Sequence, residues 1–134
     1  MKSILSIATT PVLASLLLLA GCGGGDDDLA GSPAAFSVQP AEITVTVAPI
    51  ANAVNQPCAV GVVGKVFIFG GAPPYRLKNS FDTAVSINTV QVDNEGGDFT
   101  VSFIGGGCIN PGSVIIEDSL KRIVTLKLVN TIGT

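Results

Sequence analysis

From Phe36 onward, apolar residues recur every second position, Val, Ile and Thr are abundant, and no stretch longer than a few residues shows the 3.6-residue period of a helix. The segment "EITVTVA" sets Ile43, Val45 and Val47 on one face and Thr44 and Thr46 on the other, which predicts a strand with one side in a core. "CAVGVVGKVFIFG", residues 58–70, is apolar on both faces and predicts a central strand of a packed sheet. In "VSINTVQV", Val85 and Ile87 are in phase, whereas Val90 and Val92 resume in the opposite phase, so a bend or bulge is expected near Asn88 and Thr89. "DFTVSFIG" places Phe99, Val101 and Phe103 on one face. "GSVIIEDS" and "RIVTLKLVN" flank a short connection around Asp118, Ser119, Leu120 and Lys121, the spacing of an antiparallel hairpin. Gly and Pro punctuate the other joins, at "PAE", "NQPC", "GGAPPY", "NEGGD" and "GGGCINPG".

Six or seven short strands in about one hundred residues predict an all-β domain, an antiparallel β-sandwich of about seven strands with immunoglobulin-like architecture. Two segments sharpen that expectation. "FGGAPPYRL", Phe69 to Leu77, resembles the segment of bacterial immunoglobulin-like domains in which a strand runs into a Pro-rich turn and a Tyr opens the next strand. "SVIIEDSLKRIVTLKLV" is similar to the last hairpin of the same domains. The resemblance implies an extracytoplasmic structural or adhesive module and supplies no active site. It also implies that Tyr75 is buried with its hydroxyl tied to backbone, against the alternative that Tyr75 and Arg76 form an exposed recognition pair. No internal repeat is present, which argues against a tandem adhesive stalk.

Ahead of this body the pattern changes completely. Residues 1–21 open with Met1 and Lys2, continue through "ILSIATTPVLASLLLLA" and end on small residues, the layout of a secretory signal peptide. An uncleaved membrane helix is the competing reading, weakened by Pro11 and the Ser/Thr interruptions. "LAGC", Leu19 to Cys22, resembles the lipobox of bacterial lipoproteins. That resemblance implies cleavage before Cys22, a diacylglyceryl group on its sulfur and anchorage in a membrane. Gly23 after the cysteine favours, by analogy, the outer membrane of a bacterial cell envelope. Residues 22–35, including "GGGDDDLAGSPAA", have too little apolar surface to pack and are expected to be a tether. The domain is then expected over residues 36–134.

Charge and chemistry remove more functions than they suggest. Cutting after residue 21 removes Lys2, leaving six basic and ten acidic side chains, a formal charge of −4. Such a surface repels phosphate backbones, and no Lys/Arg cluster offsets it, so nucleic acid is not an expected partner. The 134-residue chain has no His, which removes the commonest general base and metal ligand. Lys65 and Lys127 lie in predicted strands at solvent-compatible positions, and no spacing pairs either with a Ser as a dyad. No catalytic residue and no cofactor is expected.

Beyond Cys22, Cys58 and Cys108 form an even pair that in an exported chain is most simply a disulfide. A redox pair would need close spacing or an electropositive site, and neither is visible. "VDNEGGDF" gathers Asp93, Glu95 and Asp98, the best cation candidate in the chain, although the spacing differs from calcium-loop patterns and a Gly-Gly hairpin turn with solvated acids is the competing reading. The expected function is non-catalytic: a lipid-anchored module that binds another protein or adheres at the cell surface, or else a periplasm-facing accessory subunit of an envelope assembly.

Overall fold

The structure, a computed structural model, describes residues 32–134. The expected signal peptide, Cys22 and the tether up to Gly31 lie outside the described residues. Nine strands are found among the described residues: β1 (Ser32–Gln39), β2 (Glu42–Val47), β3 (Gly61–Gly71), β4 (Tyr75–Asn79), β5 (Val85–Ile87), β6 (Gln91–Val92), β7 (Asp98–Phe103), β8 (Ile109–Glu117) and β9 (Ile123–Ile132). They form a four-stranded sheet in the order β1-β3-β7-β5 and a five-stranded sheet in the order β2-β9-β8-β4-β6. The protein is an all-β sandwich.

The period-two pattern is what lets two such sheets share one core. Val66 and Ile68 on β3 and Phe99, Val101 and Phe103 on β7 point inward from one sheet. Leu77 on β4, Val114 and Ile116 on β8 and Leu126 and Leu128 on β9 meet them from the other. Alternate residues face out: Thr44 and Thr46 on β2 are exposed while Ile43 is buried. Burying one Phe or Leu side chain stabilises by about 1.5–3 kcal/mol, and Phe99 and Phe103 are completely enclosed.

The bend expected near Asn88 is the point at which the chain changes sheets. Asn88 makes the last contacts with the four-stranded sheet: its amide donates to the Thr100 carbonyl (3.2 Å) and its side-chain oxygen accepts from the Thr100 amide (2.6 Å). Two residues later the Val90 carbonyl accepts from the Leu77 amide of the five-stranded sheet at 2.9 Å. The last hairpin also matches expectation, with β8 and β9 antiparallel and Glu117 opposite Ile123.

Four details depart from the sequence reading. Nine strands replace about seven, because β1 precedes the first strand read and the run read as one over 85–92 is split between the two sheets after Asn88. The sandwich is antiparallel except for β2 and β9, which pair in parallel from Glu42 opposite Lys127 to Val47 opposite Ile132. After crossing, β2 runs alongside the last strand in the same direction, and no local pattern encodes that long-range choice. β1 begins at Ser32, inside the segment assigned to the tether, with Ser32 opposite Gly71. The Gly-Gly turn is not a hairpin, since it joins β6 of one sheet to β7 of the other. Gly97 is required there: a Cβ would collide with the Val92 side chain and the Asn94 carbonyl.

The strand pairing gives the sandwich two ends. At one, Ser32 lies opposite Gly71, and the Ser119 amide donates to the Ala72 carbonyl (2.9 Å); this is where the chain arrives from Cys22. At the other lie the 48–60 loop, residues 104–108 and the end of β9.

Candidate functional site

No three His, Cys, Asp or Glu side chains converge on a possible metal position among the described residues. Asp98 pairs with Lys65 at 3.0 Å across β7 and β3, Asp93 accepts from the Gln91 side-chain amide at 2.6 Å, and Glu95 is exposed. The structure therefore does not gather Asp93, Glu95 and Asp98 into one cation cradle. Lys127 pairs with Glu42 at 3.3 Å, so both lysines considered as dyad members face carboxylates. Hydrogen bonding to Thr44, then to Lys127, holds the Glu42 carboxyl below its ordinary pKa.

The polar groups that are buried serve the fold at its two ends. At the chain-entry end, Asp118 is 2% exposed in the turn between β8 and β9. One carboxylate oxygen accepts from the amides of Leu120 (3.0 Å) and Arg122 (2.9 Å). The other accepts from the Ala72 amide (3.1 Å) and from the Arg122 guanidinium at 2.8 and 2.7 Å. Burial pushes the Asp118 pKa up, but the Arg122 and Ala72 amides and the Arg122 guanidinium outweigh it and hold the group below its ordinary value. The Arg122 guanidinium also lies over the Phe36 ring, 6.0 Å from its centroid, and Phe36 stacks on Tyr75 at 5.8 Å.

Tyr75 is fully enclosed and its hydroxyl donates to the Gly70 carbonyl at 2.6 Å, the packing role that the resemblance implied. Burial, then the negative charges of Glu95 and Asp118, raises its pKa. Arg76 next to it is exposed. The two therefore do not form an exposed pair.

At the far end Cys58 and Cys108 are joined in a disulfide with Cα atoms 5.2 Å apart, as the even count of cysteines suggested. The Cys58 amide donates to the Gly106 carbonyl at 2.9 Å. Beside it Asn130, fully buried at the end of β9, accepts from the Ala59 amide (3.1 Å) and donates to the carbonyls of Ala59 (3.0 Å) and Gly107 (3.3 Å). Both segments of the far end are thus fastened twice. The sequence reading missed Asn130 and Asp118. Asn130 carried a signal, because it follows Leu126 and Leu128 in the inward register of β9.

This fastening holds an exposed apolar loop. The 48–60 loop, "APIANAVNQPCAV", contains no charged residue. Its interior is organised by Gln56, which accepts from the Ile50 amide and donates to the Ala48 carbonyl, both at 2.7 Å. Outward it presents Ile50, Val60 and Val54, the last 87% exposed, and Val62 at the start of β3 is exposed too. Exposed apolar side chains on a disulfide-fastened loop make this end a candidate contact surface.

No helix among the described residues is long and apolar enough to cross a membrane. Compared with known protein families, curated proteins and solved structures, the chain matches none of them.

Proposed function

We propose that this chain is a non-catalytic, lipid-anchored envelope protein whose immunoglobulin-like sandwich binds another protein, or adheres to one, at the bacterial cell surface. The observation that carries this reading is the uncharged apolar 48–60 loop, fastened at the end of the sandwich opposite the strand that leads back to Cys22. A domain anchored at one end and apolar at the other is arranged to meet a partner away from the membrane. The strand order supports the immunoglobulin-like assignment. β1, β3, β7 and β5 correspond to an A-B-E-D sheet, and β9, β8, β4 and β6 to a G-F-C sheet with an added strand. Acylation of Cys22 by two or three chains, at roughly 0.8 kcal/mol per buried methylene, would hold the domain at the membrane.

A second reading, a periplasm-facing accessory subunit, draws on β2, whose outer edge has no neighbouring strand among the described residues over its six residues and could accept an added strand from a partner. Protease accessibility on intact cells separates the two, with cytoplasmic and periplasmic proteins as leakage controls and lysed cells to show that the chain can be cut. Digestion on intact cells is expected. Protection until the outer membrane is permeabilised would overturn surface display in favour of the accessory-subunit reading.

A further inference from the structure

β3 is apolar on both faces, as its sequence predicted, but among the described residues its outer face is only partly covered. Opposite the buried Val66 and Ile68, the outward positions nearest the chain-entry end are Phe67 and Phe69, 40% and 45% exposed. The residues paired with them are Gln39 and Ser37 on β1 and, for Phe67, Asp98 on β7. Lys65 and Asp98 neutralise each other at 3.0 Å beside Phe67, and the exposed Glu95 lies in the loop whose Gly96 and Gly97 backbone groups hydrogen-bond to Ile68. Two large aromatic rings side by side on a sheet exterior form a patch that water solvates poorly.

Chain connectivity says what lies near it. Ser32 pairs opposite Gly71, two residues beyond Phe69 on β3. Ten peptide steps separate Ser32 from Cys22 and reach at most ~36 Å even when fully extended. A bilayer holding an acylated Cys22 is therefore always within reach of this patch, at high effective concentration. The far-end loop lies on the order of 30 Å further along β3.

We propose that Phe67 and Phe69 form a second membrane contact: the anchored domain leans on the outer face of its four-stranded sheet, with both rings in the headgroup region of the bilayer. The inference rests on the lipoprotein reading of Cys22. Leaning this way turns the five-stranded sheet from the lipid. Aromatic rings favour that interfacial layer, and an acyl anchor supplemented by a protein contact fixes orientation as well as position.

The chain contains no Trp, so a single introduced Trp reports its own surroundings. The full chain, expressed with its signal segment so that it is processed in the cell, is purified in detergent and reconstituted into phosphatidylcholine vesicles with or without brominated acyl chains. Variants Phe69→Trp and Phe67→Trp are compared with Ile123→Trp, an exposed position at the same end but on the five-stranded sheet. Brominated lipid is expected to quench the Phe69→Trp and Phe67→Trp emission by roughly half while leaving Ile123→Trp nearly unchanged. The mass of the N-terminal peptide is measured on the same samples. An acylated protein whose three reporters are equally quenched, or all unquenched, overturns the leaning contact and leaves the anchor standing. An unacylated Cys22 overturns both.

Discussion

Two buried polar residues matter most at the level of single side chains, and each belongs to one end of the sandwich. Asp118 is a charge held without water by three amides and one guanidinium, so its loss leaves Ala72, Leu120 and Arg122 donors unpaired. Asp118→Ala is expected to cost about 3 kcal/mol in a denaturant titration. The same group makes stability depend on pH in the acid range. Its folded pKa is depressed, so its contribution is fully present above the unfolded carboxylate value, near 3.9, and is lost as pH falls through the lower folded value. Thermal melts from pH 7 to pH 2 should therefore show the stability gap between wild type and Asp118→Asn closing below about pH 4. A gap that stays constant to pH 2 would mean the carboxylate's charge contributes nothing. Asn130→Ala removes three hydrogen bonds and leaves the Ala59 amide and the Ala59 and Gly107 carbonyls without that partner; a loss of about 2 kcal/mol is expected, read from the shift in urea midpoint.

At the scale of elements, the disulfide is the largest single constraint. Cys58 and Cys108 are separated by 50 residues, so the bond restricts the unfolded chain by about 4 kcal/mol on the loop-entropy account. The variant with both cysteines replaced by Ala should lose stability on that scale. It should also expose the 48–60 loop to proteolysis before the rest of the sandwich, because only hydrogen bonds, those of Asn130 and of the residue-58 amide to Gly106 among them, then fasten that end. Uniform proteolysis, with no early cut in the loop, would show that the bond does not hold the loop locally. This pair was legible in the sequence because cysteine count and compartment constrain each other. The strands were legible because alternation records which side chains share a face, and the change of phase at Asn88 recorded the change of sheet. Alternation does not record what lies beyond a face. β3 therefore read as covered on both sides, although Phe67 and Phe69 stand outside. Nor does it record direction, which is why the parallel match of β2 to β9 was not foreseen. Asp118 looked like an ordinary turn residue because its partners, Ala72 and Arg122, come from a distant loop and from the start of the next strand.

For the whole molecule, the arrangement is polar in the geometrical sense. The chain enters beside Gly71, the ion pair and aromatic stack fasten that end, and the apolar, uncharged loop is fastened at the other by a disulfide and Asn130. An anchored protein built this way should make its partner contacts through the far-end loop. A photo-crosslinking residue at Val54, where the side chain is almost fully in water and substitution costs less than about 0.5 kcal/mol, tests that directly on whole cells. Irradiation should give a discrete higher-mass adduct from Val54, and none from Thr125, an exposed position on the five-stranded sheet. The adduct should weaken when Ile50→Asp is combined with the Val54 probe, since a carboxylate in the same patch must be desolvated on contact while the isolated fold barely notices it. Equal adducts from Val54 and Thr125, or an adduct indifferent to Ile50→Asp, would mean that the loop is a bystander and that the partner, if it grips the domain at all, does so elsewhere, with the free edge of β2 the next place to put the probe.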